Sequence, residues 1–403
     1  MIEVFTMFET EFMRKLGFLV FLLCILVSFN NQNAETKKGS SSPVSLSSED
    51  SDSILTDPFL SHPIAVSAKT ERIKNDDPTS LEYDFYRKSC PQAEQIVRSK
   101  VQQLYKVRPD VAPALLRLVF HDCFIEGCDA SVLLDDADRI NSEKDSPPNQ
   151  SLMGFDLIDL IKADMEEACP GIVSCADIIV LAAREGVVLA GGPFYPLYTG
   201  RRDSNLSFAE VATYELPSPR DDLSQTLASF TSRGFDERET VSLLGAHSIG
   251  TIHCKFFHNR LYNFDGTEKP DPSLDTDFLN FMREKCDNSY VRSSPASSPS
   301  ALSPSFENSP SSSTDDPGME MDYNGPGSGF GTLYYRSLLQ GRGILYADQQ
   351  LMAGESTGSW VRAYASDASL FRQDFAQAMI KLSNLRVLTA PLGQVRVNCS
   401  KVA

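Results

Sequence analysis

The cysteines constrain this 403-residue chain more than any other feature. There are nine, and one of them, Cys24, lies inside a 13-residue apolar run from Gly17 to Phe29 that follows Arg14 and Lys15. A run of that length is short for a bilayer crossing, and basic residues ahead of it match the core of a secretory leader. An uncleaved interfacial anchor is the alternative, because the lead-in is long and no small-x-small cleavage site follows. Secretion is the expectation, with no transmembrane span. An oxidising destination makes disulfides the default for the cysteines that remain, though spacing alone does not choose among the pairings. The rival is a zinc site built from Cys123, Cys128 and His121. Those ligands would sit awkwardly close together, and the other cysteines are scattered singly.

Composition divides the rest. A leader or short hydrophobic segment over 1–33 precedes a Ser- and Asp-rich stretch over 34–80 that reads as a disordered spacer. A single domain is expected over 81–403, interrupted at about 287–317 by an interval with 12 Ser and 5 Pro among its 31 residues. Such an interval cannot pack a core and reads as an inserted flexible loop. A net charge of −17 leaves no basic stripe to displace counterions from phosphates, which argues against nucleic acid as a partner.

Within the domain, apolar residues recur at three- and four-residue spacing over 94–105, 112–122, 155–168, 176–190, 223–232 and 369–385. Ser174 ahead of its apolar run, and Asp236 three residues before Glu239, are helix-start signals. Gly191-Gly192 and Gly200-Arg201-Arg202-Asp203 read as breaks between helices. The fold class is therefore mainly α.

Arg117 and His121 lie four apart on one of these helices and project from one face. An imidazole that accepts a proton beside a fixed cation that stabilises developing charge suits the cleavage of a peroxide bond. Taken alone, the pair could equally be a surface Arg-His pair.

The neighbourhood decides. The run from Arg117 through Leu118, Val119, Phe120, His121, Asp122 and Cys123 to Phe124, followed by Gly127-Cys128-Asp129-Ala130-Ser131, resembles the distal segment of the plant secretory (class III) haem peroxidases. Leu243-Leu244-Gly245-Ala246-His247-Ser248-Ile249-Gly250 resembles their proximal segment. Phe85-Tyr86, Ser89-Cys90-Pro91, Val173-Ser174-Cys175-Ala176-Asp177, Gly191-Gly192-Pro193, Gly200 to Asp203 and Leu216-Pro217 match in the same order. The likeness covers about Leu81 to Cys399.

That resemblance implies a two-lobed helical haem peroxidase fold, with haem b between distal and proximal helices. His247 would ligate the iron, with Asp348 holding its other nitrogen and pushing electron density toward the metal. His121 would act first as base and then as acid, and Arg117 would stabilise the transition state. Asn149 would hold the second nitrogen of His121, with support from Glu143. Disulfides would join Cys90–Cys169, Cys123–Cys128, Cys175–Cys399 and Cys254–Cys286. One calcium ion would sit on Asp122, Asp129 and Ser131 with the carbonyls of Ile125 and Gly127. A second calcium site is eroded: Ser248 and Asp322 match, but Gly325 stands where Thr is expected and Gly331 where Asp is expected.

The implied reaction reduces hydrogen peroxide and oxidises phenolic donors one electron at a time, in cell-wall phenol coupling, lignification or peroxide removal. Pro217 matches the substrate-contacting residue at the exposed haem edge, and the cation of nearby Arg220 would favour acidic phenols. Asn205-Leu206-Ser207 is a better sugar acceptor than the sequon Asn149-Gln150-Ser151, because Asn149 would be buried. His253 and His258, read as lying on one helix, share no face, and neither they nor His62 receive a role. The expected product is a secreted monomer, in the cell wall or vacuole. The alternatives are a wall-associated binding or structural protein on the same fold, and a zinc-stabilised domain without catalysis.

Overall fold

A computed structural model describes residues 80–292, 317–321 and 329–403. Thirteen α-helices and two small two-stranded sheets lie among them. The first helices are α1 (Ala93–Val107), α2 (Val111–Phe124), α3 (Phe155–Ala168) and α4 (Cys175–Leu189). α2 and α4 form the most extensive helix pair, and α1 packs across α4 and α3. Eleven residues of α2 are buried, His121 and Asp122 among them, which suits a helix enclosed on most sides.

The second group of helices follows the start signals. In α6 (Leu223–Thr231) Asp222 and Gln225 form a capping box, and in α7 (Glu237–Leu244) Asp236 and Glu239 form another. Each such cap stabilises its helix by about 1 kcal/mol. Ser174 caps α4 by accepting from the Asp177 amide. The short α5 (Ala209–Glu215) lies between the two groups in sequence. After α7 come α8 (His258–Tyr262), α9 (Thr276–Arg292), α10 (Leu333–Leu339), α11 (Tyr346–Gln350), α12 (Glu355–Ser366) and α13 (Ala368–Ser383). α13 packs on both α7 and α2, so one continuous apolar core runs through both groups.

Two readings of the sequence need correction. His253 is not on a helix with His258: it ends β3 (Thr251–His253), which pairs antiparallel with β4 (Gly318–Glu320), while His258 opens α8. Gly250, at φ 101°, separates this strand from the His247 segment. The strand forms because its partner arrives from beyond the Ser/Pro interval, a pairing that no local pattern shows. The interval itself is not loop from its start, since α9 continues through Arg292. A second, smaller core cluster of Phe257, Leu261, Phe278, Met282, Met319 and Ile344 surrounds the Cys254–Cys286 disulfide there.

The other disulfides join Cys90–Cys169, Cys123–Cys128 and Cys175–Cys399. Each closed loop typically adds about 2–4 kcal/mol by restricting the unfolded chain. With Cys123 and Cys128 bonded to each other no thiolate is left for zinc, and that alternative falls.

The motif around Arg201 turns out to be scaffold. Asp177 pairs with Arg201 at 2.8 Å with both side chains fully buried, and it also accepts from the Tyr86 hydroxyl and the Gly200 amide, each at 2.7 Å. Asp203 accepts from the amides of Ala176 and Arg396, both at 2.9 Å. These bonds tie the start of α4 to the C-terminal segment. The opposing β1 (Glu82–Tyr83) and β2 (Tyr198–Thr199) complete that corner.

Candidate active site

α2 carries Arg117 and His121 on one face, and a 3-10 turn at Pro147–Asn149 closes over them. His121 Nδ1 lies 2.6 Å from Asn149 Oδ1. Asn149 Nδ2 donates to the Glu143 carbonyl at 2.8 Å, so Oδ1 is the acceptor and Nδ1 of His121 must carry the proton. Nε2 of His121 is left with a lone pair, and it accepts from Arg117 Nε at 3.2 Å. Burial, reinforced by the Arg117 charge and opposed by the Asn149 hydrogen bond, pushes the His121 pKa down to about 3. His121 is therefore a neutral proton acceptor across the physiological range.

Arg117 is held by its remaining donors. Nη1 bonds the carbonyl and hydroxyl of Ser151 at 2.9 and 3.2 Å, and Nη2 bonds the Pro148 carbonyl at 3.0 Å. Ser151 was not assigned a role from the sequence, where it shows only as the last residue of a sequon. Both polar atoms of the buried Asn149 side chain are engaged, so that sequon is closed to sugar, whereas Asn205 is exposed. Glu143 supports Asn149 through its main-chain carbonyl, and its carboxylate points elsewhere.

His247 lies in a 3-10 turn, Gly245–Ser248, at the end of α7. A side chain at Gly245 would collide with Tyr335 and Phe371, so the backbone there must approach the core closely. His247 Nδ1 bonds Asp348 Oδ1 at 2.8 Å, and Tyr334 donates its hydroxyl to the same oxygen at 2.8 Å. Burial lowers the His247 pKa, but the charge and hydrogen bond of Asp348 outweigh it and leave a net rise. The Arg117 charge acts on His247 too, lowering its pKa slightly against the rise. Arg117 is exposed, and 39% of the His247 side chain is open. Burial lowers the Arg117 pKa to about 10, so it remains a cation.

A third cluster lies at the end of α2. Asp122 and Ser131 are fully buried, and Asp122 Oδ1, Ser131 Oγ and Glu143 Oε2 have no hydrogen-bond partner. Burial, Asp129 and Glu143 raise the Asp122 pKa well above the carboxylate range; burial raises Asp129 to about 6 and Glu143 to about 7. Buried oxygens left unsatisfied beside mutually repelling carboxyls fit a hard cation. Among the described residues no three His, Cys, Asp or Glu side chains form a metal-ligating cluster, so a cation here would draw on two carboxylates, a hydroxyl and carbonyls. Gly127, at φ 120°, lets the disulfide-closed turn of Ile125 and Gly127 pass against Arg386, where an added Cβ would lie 2.5 Å from the carbonyl. On the proximal side Ser248 Oγ is buried without a partner, Gly331 offers no side chain, and Asp322 and Gly325 lie outside the described residues. His62 lies outside them too.

Pro217 is partly exposed in the segment after α5, and Arg220 is exposed three residues later. A separate cavity of about 120 Å³ beside the Cys123–Cys128 bridge contains none of the residues assigned here to peroxide chemistry.

A helical fold with two differently partnered histidines, the buried His121 bonded to the exposed Arg117, suits a peroxide-handling oxidoreductase. The peroxidase family profile matches residues 97–367. The chain is 55% identical over 336 residues to "Putative Peroxidase 48" of Arabidopsis thaliana, covering 81% of this chain and 83% of that protein. It is 41% identical to Peroxidase 57 of Arabidopsis thaliana, covering 80% of this chain and 92% of the relative. Peroxidase 5 of Vitis vinifera is 40% identical, with 79% and 90% covered. The chain belongs to the peroxidase family, in its plant class III group, and is a peroxidase.

Proposed function

We propose that this enzyme is a secreted haem b peroxidase that reduces hydrogen peroxide and oxidises phenols by single-electron steps. The observation that carries the reading is the contrast in Nδ1 partners: Asp348 for His247 and Asn149 for His121. A carboxylate-held imidazole with its other nitrogen open is the pattern of an iron ligand. Nε2 of His247 would hold haem, which would supply the redox chemistry for two-electron reduction of peroxide and one-electron oxidation of donors.

The protein's own groups move the protons. Nε2 of His121 takes the proton from one peroxide oxygen and returns it to the other, which leaves as water. For this the imidazole must stay neutral, and the buried surroundings of His121 keep it so. Arg117, fixed by Ser151 and Pro148, stabilises the charge that develops as the O–O bond breaks. Asn149 orients His121, and the Glu143 carbonyl orients Asn149.

One calcium ion on Asp122, Asp129, Ser131 and the carbonyls of Ile125 and Gly127 would brace the end of α2, and hence His121. The proximal site, with Gly331 contributing nothing, would hold calcium weakly if at all. Pro217 would line the donor entrance, and Asn205 would carry sugar. The leader over 1–33 and the spacer over 34–80 would precede the catalytic domain over 81–403, in a monomer that acts outside the cell. Absorption spectroscopy of the purified protein tests the reading: a ferric-haem Soret band should shift on adding peroxide and recover on adding a phenol. A protein that binds no haem would refute it.

A further inference from the structure

Aromatic rings lead without interruption from His247 toward the surface. The His247 ring lies 6.3 Å from Tyr334, centroid to centroid, and Tyr334 lies 4.9 Å from Tyr335. Tyr335 is 5.1 Å from Tyr364, and Tyr364 is 5.9 Å from Trp360, the only tryptophan in the chain. The three tyrosines are buried, while Trp360 on α12 is partly exposed. The Arg238 guanidinium sits 4.6 Å over the indole, with its charge offset by two 2.8 Å bonds to Asp374.

The distribution of ring types is informative. Tyr335 and Tyr364 also touch Phe371, which continues to Phe330 and Phe375. That side branch is all phenylalanine, which resists oxidation, whereas every ring on the line to Trp360 is a phenol or an indole. Packing alone would be served as well by phenylalanine, because a buried hydroxyl costs desolvation unless it is paired. Here each one is paired. Tyr334 donates to Asp348, Tyr335 to the Val241 carbonyl at 3.0 Å, and Tyr364 to Asp374 at 2.6 Å.

We infer that Tyr334, Tyr335, Tyr364 and Trp360 form an electron path that makes Trp360 a second, surface oxidation site for phenols too large to enter the haem recess. The inference rests on His247 as the iron ligand. Hydrogen peroxide is the oxidant: it takes two electrons and two protons and leaves as two waters. An electron passes from Trp360 along the row to refill the haem site, leaving the indole one electron short. An oxidised Tyr334 or Tyr364 passes its proton to the Asp348 or Asp374 carboxylate and recovers it when refilled, while Tyr335, bonded only to main-chain carbonyls, keeps its proton and bridges the two. A surface-bound phenol then gives one electron to Trp360 and one proton to solvent, and leaves as a phenoxyl radical. Two such transfers balance one peroxide.

The test uses the haem-loaded full chain alongside W360F and Y364F. Each protein is mixed with peroxide in the absence of donor, frozen and examined by electron paramagnetic resonance. The expected result is an indole radical in the parent, replaced by a phenoxyl signal in both variants. Turnover of a phenol tethered to high-molecular-weight dextran should fall about 10-fold or more in both, while free guaiacol is oxidised within about 2-fold of the parent rate. Identical radical spectra in parent and W360F, or unchanged turnover of the tethered phenol, would overturn the inference. A parent protein whose Soret band ignores peroxide removes the haem reading first, before any variant is compared.

Discussion

His121 and His247 each fix Nδ1 with one short hydrogen bond, 2.6 Å to Asn149 and 2.8 Å to Asp348, and both feel the charge of Arg117. Their partners differ by one charge. The neutral amide cannot offset burial, so His121 titrates near 3 and waits as a base; the carboxylate more than offsets it, so His247 is electron-rich. One residue type is thus given opposite pKa shifts by a single atom in each neighbour. The comparison also explains why Asn149 and Asp348 sit on separate elements, a turn and α11, that only the fold brings to their histidines.

Removing either ring should separate the roles most sharply. His247→Ala should abolish the Soret band, whereas His121→Ala should keep it and slow the reaction with peroxide by about 10²–10⁴-fold, read by stopped-flow absorption. If both variants lost haem alike, the division between the two histidines would fail.

Exchanging the partners is the next test. Asp348→Asn should lower haem affinity or activity by about 10–100-fold. Asn149→Asp places a charge beside His121 and should raise its pKa, so the peroxide reaction would weaken on acidification at a higher pH than in the parent. In the parent, the rate should hold nearly level down the acid range and drop only as the pH approaches about 3. An unaltered pH profile in Asn149→Asp would show that Asn149 does not set the protonation of His121.

The smallest effect concerns the brace behind His121. Asp129 and Glu143 have raised pKa values, so without a cation their folded forms are favoured at low pH, and that stability is lost as the pH rises through about 6 and about 7. Chelation of calcium should therefore lower Tm by several degrees at pH 8 and by less at pH 5, measured by calorimetry. Equal loss at both pH values would count against a calcium ion on these carboxylates. His121 acts in the opposite sense: its pKa is lowered on folding, so its contribution is intact above about 6.5 and is lost as the pH falls toward about 3.

How much of this was legible depended on whether residues were neighbours in sequence. Arg117 and His121 are one helical turn apart, and periodicity alone put them on one face. The contiguous runs around His121 and His247 carried the family likeness. Tyr334 and Ser151 were missed because nothing adjacent marks them: one reaches Asp348 from another helix, and the other receives Arg117 across 34 residues. The Glu143 contact was foreseen, but its chemistry is a carbonyl's, which residue identity cannot reveal. The strand at His253 was misread as helix because its partner lies beyond the Ser/Pro interval.

By itself, the order of residues determined the mainly α class, the family likeness, and the placing of Arg117 and His121 on one helical face. Those follow from periodicity, composition and side-chain chemistry, which are local. Tertiary structure alone decided the proton position on His121, the scaffold role of Arg201 and Asp177, and the ring path to Trp360. Each of these depends on distances between residues far apart in the chain, which are set only when the core closes.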